Sequence, residues 1–203
     1  MVSRNVGEYR YPLGGKLYVF NKNENIGFIK WHMCSPAIAT QAEDLIAGGV
    51  KELIHVGYAG GLQPELVPGE IILTDGAFND TAVARLYGYD YDIIHSSKDL
   101  TNEIEEMITS AEILYKRGIH WTTDAGYRET WGQVMDYRDK GALCVEMEGV
   151  GLFTIANYRK CVATGIYVVS DVYLEDDWKL GWEGNDIKKA VGEIIDMIIK
   201  SIR

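Results

Sequence analysis

Two carboxylates flank a methionine at Glu146, Met147 and Glu148, where a short apolar run meets a stretch with helical periodicity. If the helix starts near Glu146, Glu148 lies in its first turn, where exposed backbone N–H groups favour an acid. An ionised carboxylate there can accept hydrogen bonds from two neighbouring hydroxyls of a ligand, and the thioether supplies a soft apolar wall. A plain helix start, with acids placed for the helix dipole, is the alternative interpretation.

A glycine-rich segment, Gly57-Tyr58-Ala59-Gly60, follows a predicted strand over Glu52–Val56. Glycines allow backbone N–H groups to approach an anion or a sugar closely, so the segment is a candidate ligand loop. A tight turn is the alternative interpretation. The segment matches neither Gly-x-Gly-x-x-Gly nor a Walker loop, which argues against dinucleotide and triphosphate sites.

Two further loops carry side chains that suit a polar ligand. The segment Gly126-Tyr127-Arg128 offers a planar fork of donors and an aromatic face; a surface loop with a weak Arg–Glu pair is the alternative. Asp171 follows a predicted buried strand, Cys161–Ser170. Because burial favours the protonated carboxyl, Asp171 is a candidate general acid, and the N-cap of a helix is the alternative.

Composition and charge exclude several classes of protein. The 203 residues are 47% hydrophobic and 25% charged, as expected for one globular domain spanning 1–203. The net charge of −10 argues against a nucleic-acid or anionic-membrane partner. We expect a cytoplasmic protein, because we find no secretory signal and no bilayer-spanning segment. The three cysteines are widely spaced in apolar runs, which favours reduced thiols and no metal site.

Apolar strands alternate with helical patterns along the chain, which predicts an α/β fold. In such folds ligands bind beyond the carboxyl ends of strands, where the three candidate loops would meet. The predicted elements, in chain order, are a hairpin of Leu17–Phe20 and Ile26–Trp31, a helix over Ala37–Ala47 ended by Gly48, strands over Glu52–Val56 and Glu70–Leu73, a helix over Leu100–Leu114 ended by Gly118, strands over Ile119–Thr123 and Cys161–Ser170, and a helix over Asp186–Ile202.

Four motifs in this order make the chain resemble the nucleoside phosphorylase superfamily. They are Val56-Gly-Tyr-Ala-Gly-Gly-Leu62, Pro68-Gly-Glu-Ile-Ile72, Val145-Glu-Met-Glu148 and Val169-Ser-Asp171. The stretch from Thr123 to Thr130 is most similar to the uridine-phosphorylase-like branch. The resemblance implies a three-layer α/β/α sandwich with a mixed, partly barrel-like central sheet, assembled as a dimer or as a hexamer built from a trimer of dimers.

The resemblance also implies roles for individual residues. Glu148 would hold the ribose 2′- and 3′-hydroxyls, with Met147 beneath the sugar, Glu146 beside it and Met33 lining the ribose site. Asp171 would protonate a purine leaving group. Arg128, with Tyr127 and Gly126, lies where uridine phosphorylases bind the pyrimidine, and Gly57, Tyr58, Ala59 and Gly60 form the phosphate-region loop. No cofactor is implied, because phosphate is a co-substrate.

Phosphate ligands of the family are replaced or missing in this sequence. The printed chain starts after the position of the Gly-Asp-Pro-x-Arg loop, which in the nucleosidases also holds the water-activating Glu. His55 stands where an Arg is usual, Tyr58 replaces a Ser or Thr, and Gly126 replaces a stacking aromatic. His55 is alternatively a core or interface histidine. A partner subunit could supply missing groups, and so could the cations Arg4, Arg10 and Arg85.

The sequence therefore predicts a pentosyltransferase that converts a nucleoside, uridine or a purine nucleoside, to the free base and ribose 1-phosphate. Three alternatives stay open. One is a nucleosidase that uses water, another is a catalytically silent nucleoside-binding protein, and the third is a structural subunit without a ligand.

Overall fold

The computed structural model describes residues 6–10, 16–20, 23–175, 178–181 and 184–201. The helices are α1 (Ser35–Ala47), α2 (Val83–Leu86), α3 (Lys98–Ser110), α4 (Trp131–Asp139), α5 (Gly149–Arg159) and α6 (Asn185–Ser201). The strands are β1 (Val6–Arg10), β2 (Lys16–Phe20), β3 (Asn23–Ile29), β4 (Glu52–Gly61), β5 (Ile71–Asp80), β6 (Ile93–His95), β7 (Lys116–Thr123), β8 (Cys144–Glu146), β9 (Val162–Tyr173) and β10 (Trp178–Leu180).

The chain divides into two compact units, one ending at His32 and the other beginning at Met33. In the first unit, β1, β2 and β3 form an antiparallel sheet in that order. The β2–β3 pair confirms the predicted hairpin, and residues 21 and 22 of its predicted turn lie outside the described part of the chain. A single domain over the whole chain stays a prediction.

The second unit is built on a mixed sheet in the order β10-β9-β4-β8-β7-β5-β6. An additional antiparallel pairing joins β5 to β9, so the strands β9, β4, β8, β7 and β5 close into a ring. The ring is mixed, since β4–β9, β7–β8 and β5–β7 are parallel whereas β4–β8 and β5–β9 are antiparallel. The predicted α/β class, with a mixed and partly barrel-like sheet, is confirmed.

The strand β9 is buried on both of its faces. Ile166 and Val168 pack in a cluster with residues of α3 and α6, whereas Tyr167 and Val169 belong to a separate cluster with Ala59 and Cys144. This alternation follows from the two-residue period of a strand. Helix α1 packs against α5, which in turn contacts β5 and β9. Helices therefore pack against the sheet, and β9 is buried along most of its length.

Two predictions about loops are wrong. The glycine segment 57–61 is the second half of β4, because its parallel pairing with β9 continues as far as Gly61 and Val172. A Cβ atom at Gly61 would lie 3.1 Å from the side chain of Val172, so the glycines serve close strand packing here. Asp171 lies inside β9, which continues to Tyr173, so it is neither in a loop nor at a helix N-cap.

Two predicted helix ends also differ from the structure. Helix α3 ends at Ser110 because Glu112 takes the left-handed conformation, with φ of 55°, and reverses the chain. Gly118 lies in β7, and the periodic Leu114 is exposed. Glu148 is the N-cap of α5, not a first-turn residue, because Glu146 still pairs as the last residue of β8.

Within the part of the chain that the structure describes, no helix combines the length and the apolar character needed to cross a bilayer.

Candidate active site

Met147 and Glu148 form the two-residue link between β8 and α5. The start of α1 fixes this link from outside. The Cys34 backbone N–H donates to Oε1 of Glu148 at 2.7 Å, and the Ser35 hydroxyl donates to the Met147 carbonyl at 3.0 Å. The two helices approach closely because Gly151 has no side chain; a Cβ there would lie 2.5 Å from the Ser35 carbonyl oxygen.

The carboxyl of Glu148 is mostly buried and titrates near neutrality. Burial raises its pKa to about 7, and the negative charge of Glu146 acts in the same direction. The hydrogen bonds from the backbone of Cys34 and Met147 lower the pKa only in part. Glu148 is therefore a carboxylate that gains or loses its charge close to physiological pH, which is a common property of functional groups.

The backbone at Cys34 is strained, since this non-glycine residue has φ of 79° and ψ of 148°. Such a conformation costs about 1–3 kcal/mol and persists only where the surroundings enforce it. Here it aims the N–H group at Glu148. Met33, the preceding residue, is 72% exposed. The predicted ribose-site methionine thus lies beside the group that holds Glu148.

Glu146 points inward and supports this link from behind. It is 5% exposed, and its Oε2 atom accepts hydrogen bonds at 2.8 Å from the backbone N–H groups of Glu148 and Gly149. The Thr122 hydroxyl donates to Oε1. Burial alone would raise the pKa of Glu146, but His120 more than offsets it, so the pKa lies below its usual range. Glu146 acts on the backbone that carries Glu148.

His120 connects Glu146 to the interior of the ring of strands. The Thr74 hydroxyl donates to the Gly76 carbonyl at 2.8 Å, and its Oγ1 atom lies 2.6 Å from Nδ1 of His120. The opposite nitrogen, Nε2, lies 3.0 Å from Oε1 of Glu146. Sequence reasoning did not single out His120, whose only signal is a polar residue within a buried strand.

His55 lies in the same interior and confirms its interpretation as a core histidine. Its ring meets Tyr167 edge to face with centroids 5.4 Å apart, and Tyr167 lies 4.8 Å from the His120 ring. Burial lowers the pKa of His55 to about 4, so this residue is neutral at pH 7. A neutral imidazole does not supply the positive charge of the Arg usual at this position.

Asp171 lies two strands away from the end of β8. In β4, Gly60 pairs with Asp171 on one side and with Val145 on the other. Two strand spacings separate these backbones by about 10 Å. Asp171 is 4% exposed, and the Ser170 hydroxyl donates to its Oδ1 atom at 2.5 Å. The two acids therefore lie on either side of β4, Asp171 on β9 and Glu148 directly after β8.

Glu129 completes the end of the site near Asp171, and sequence analysis did not identify it. The Tyr173 hydroxyl donates to its Oε2 atom at 2.5 Å. Burial raises the pKa of Glu129, and the charge of Asp171 adds to that effect, whereas the bond from Tyr173 opposes it. The Arg-Glu pattern of the loop predicts a surface pair, and no pattern in the sequence indicates that Glu129 turns toward β9.

The predicted base-binding residues divide into two groups. Gly126 opens a short 3-10 turn, and a Cβ there would lie 3.5 Å from Oε1 of Glu129 and 3.7 Å from Sδ of Met147. The structure therefore brings Gly126 to the Met147 link. Tyr127 and Arg128 are exposed.

The predicted phosphate-region residues lie along β4 and are also divided. Ala59 and Gly60 are buried, Gly57 is half-buried, and Tyr58 is exposed. Among the candidate cations, Arg85 is exposed on α2, Arg10 belongs to β1 of the first unit, and Arg4 lies outside the described residues. The described residues contain no group of three or more His, Cys, Asp or Glu side chains that could hold a metal ion.

Comparison with known proteins places the chain in a family. A family model described as the phosphorylase superfamily matches residues 5–200. The chain belongs to this superfamily, which confirms the resemblance drawn from its motifs.

Curated relatives include purine nucleoside phosphorylases of the DeoD type. The protein from Exiguobacterium sibiricum is 32% identical over 139 residues, and that from Bacillus cytotoxicus is 31% identical over 138 residues. Each match covers 67% of this chain and 59% of the relative, so the aligned part spans less than two thirds of either relative.

Among solved structures, the purine nucleoside phosphorylase from Toxoplasma gondii in complex with immucillin-H has the same fold. The TM-score is 0.86, and the alignment covers 98% of this chain and 82% of that one at 19% identity.

Proposed function

We propose that this protein cleaves the N-glycosidic bond of a purine nucleoside by phosphorolysis. The observation that carries the proposal is the pair of acids on either side of β4, the half-buried Glu148 that follows β8 and the buried Asp171 of β9. The purine specificity of the DeoD-type relatives supports a purine substrate. The resemblance of the loop near Gly126 to uridine phosphorylases favours uridine, which is the substrate to compare.

Glu148 binds the sugar in this proposal. In its ionised form it accepts hydrogen bonds from the 2′- and 3′-hydroxyls, while Met147 and Met33 line the sugar. The buried Glu146 holds the Glu148 backbone and is bonded to Thr122 and His120. Positive charge that develops on the ribose in the transition state is stabilised by these carboxylates.

Asp171 acts on the base. As the bond between C1′ and N9 breaks, its electron pair passes to the purine, and the Asp171 carboxyl donates a proton to N7. A phosphate oxygen forms the new bond to C1′. The products are the free base and ribose 1-phosphate, and Asp171 is left as a carboxylate to be reprotonated from water. The Ser170 hydroxyl orients Oδ1 of Asp171 during this step.

Hydrolysis is a second candidate, and His55 favours it. Because this residue is buried and neutral, it offers no charge to phosphate. Water would then attack C1′ and yield free ribose. No cofactor is needed in either reaction. We also propose a cytoplasmic homo-oligomer, a dimer or a trimer of dimers, which sedimentation of the purified protein tests.

The deciding experiment is chromatography of adenosine, inosine and uridine after incubation with the protein, with and without phosphate. Free purine base that appears only with phosphate, together with ribose 1-phosphate, is the expected result. Base released equally in both conditions would identify a nucleosidase. No base from any substrate, with nucleoside-induced thermal stabilisation, would identify a silent binding protein, because ligand binding to the native state raises Tm.

A further inference from the structure

We propose that Glu129 determines base specificity and that it selects purines with an exocyclic 6-amino group over 6-oxopurines. The inference rests on the proposed function, which places the base between Met147 and Asp171. It adds a residue outside the motifs of the superfamily, and its basis is the contact network at the end of β9.

Glu129, Tyr173 and Asp171 form one group of side chains at the end of β9, next to Gly60 of β4. Asp171 and Tyr173 are two residues apart in β9, so their side chains project from the same face. A Cβ at Gly60 would lie 3.3 Å from Oδ2 of Asp171 and 2.9 Å from the Tyr173 ring. The Tyr173 hydroxyl then reaches Glu129.

The second step is that Glu129 also borders the place where the base would lie. A Cβ at Gly126 would lie 3.5 Å from Oε1 of Glu129 and 3.7 Å from Sδ of Met147. Gly126 stands where family members carry a stacking aromatic, so the missing side chain leaves room that Glu129 faces. Glu129 therefore connects the methionine of the sugar site with the acid of the base site.

The third step is the hydrogen-bonding state of the carboxylate. Tyr173 donates to Oε2, which stabilises the ionised form and orients the group. Oε1 receives no hydrogen bond from the described residues, and as a carboxylate oxygen it can only accept one. This oxygen is therefore available to an N–H or O–H group of a ligand.

The fourth step is the chemistry of the purine edge. In a purine, N7 and the 6-substituent lie side by side on one edge. When Asp171 protonates N7, a neighbouring carboxylate faces the 6-substituent. The 6-amino group of adenosine donates to Oε1 of Glu129, whereas the 6-oxo group of inosine presents a lone pair and is repelled. Unpaired polar groups that face each other in a desolvated site strongly disfavour the wrong substrate.

The test compares adenosine with inosine, two nucleosides that differ in the 6-substituent and in the hydrogen at N1. We expect wild-type kcat/KM to favour adenosine by about tenfold or more, as one hydrogen bond to a charged group provides. In Glu129→Gln the ratio should fall by roughly tenfold, because the amide NH2 can donate to the 6-oxo group. Tyr173→Phe frees Oε2 and should lower the ratio by a smaller factor. Glu65→Gln, the same change at an exposed residue, should leave it unaltered.

The ratio of kcat/KM for adenosine to kcat/KM for inosine separates specificity from a structural effect, because a distorted loop lowers the rates for both nucleosides together. An unchanged ratio in Glu129→Gln, or a wild-type preference for inosine, would overturn the inference and leave phosphorolysis standing. If neither nucleoside is cleaved, the proposed function fails, and calorimetric affinities decide about Glu129. Tighter binding of adenosine that disappears in Glu129→Gln supports the inference, whereas equal binding or none overturns it.

Discussion

At the scale of single residues, the two acids of the Glu-Met-Glu motif differ in what their carboxylates contact. Glu146 is saturated by His120, Thr122 and two backbone N–H groups, and its pKa lies below the usual range. Glu148 receives backbone hydrogen bonds from Cys34 and Met147, and its pKa is raised to about 7 by burial and by the charge of Glu146. The first acid therefore serves the fold and leaves the second available to a ligand.

This difference predicts the pH dependence of turnover. In the proposed function the ionised form of Glu148 binds the ribose hydroxyls, so kcat/KM for a nucleoside should fall about tenfold per pH unit below 7. In Glu148→Gln the rate should be low at every pH and the fall should disappear. A wild-type profile that is flat between about pH 5 and 8 would argue against Glu148 as the ribose ligand.

The raised pKa of Glu148 also predicts that stability, unlike turnover, decreases as the pH rises. Its folded pKa, about 7, is above the ordinary value of 4.5, so the folded protein binds more protons between these values. The contribution of this proton to the free energy of unfolding is complete below pH 4.5 and is lost as the pH rises through 7. We expect Glu148→Gln to have a free energy of unfolding about 1–2 kcal/mol higher than the wild type at pH 8. Urea unfolding at pH 5 and pH 8 measures this, and the difference should shrink at pH 5.

At the scale of secondary-structure elements, β4 shows how glycines bring functional residues together. Gly60 lies between Val145 of β8 and Asp171 of β9, and a Cβ there would lie 2.9 Å from the Tyr173 ring. A side chain at this position would push β9 and its acid away from the sugar site.

Gly60→Ala should therefore lower the free energy of unfolding by about 1–3 kcal/mol, because the close contact forces neighbouring groups to move. Since Asp171 and Tyr173 are the groups displaced, kcat/KM should also fall. The matched control is Gly192→Ala in α6, where the added methyl group meets nothing within 4 Å. That substitution should raise stability by about 0.5–1 kcal/mol and leave activity unchanged. A loss of stability as large in the control would contradict the packing argument.

The elements also show what could be predicted from the sequence. Periodicity located α1 and α6, because each has one apolar face and clear ends. It could not show that β4 runs through its glycines, because that depends on pairing with β9, about a hundred residues away in the chain. The motifs located Glu148 and Asp171, whereas the contact between Glu129 and Tyr173 depends on tertiary structure alone.

At the scale of the whole molecule, the net charge is −10, and the surroundings of the candidate site are negative as well. Near the candidate site lie the acids Glu129, Glu148 and Asp171, and His55 carries no charge at pH 7. A phosphate ion approaching such a surface is repelled, so the field of the protein opposes the proposed co-substrate.

We therefore expect the KM for phosphate to fall about two- to threefold when NaCl is raised from about 20 to 200 mM, because salt screens the repulsion. The KM for adenosine, an uncharged substrate, is the internal control and should change little. A phosphate KM that rises with salt would instead indicate that clustered cations bind phosphate, including cations supplied by a partner subunit.

The closed ring of strands has a consequence for how the protein folds. The pairing that closes the ring joins Ile71 to Val168, about a hundred residues apart in the sequence. The β4–β9 pair joins residues that are just as distant, such as Glu52 and Val162. Distant pairings cost a large loop-closure entropy before their contacts are gained, so both are expected late in folding. A nucleoside that binds only the closed ring should therefore stabilise it and slow unfolding.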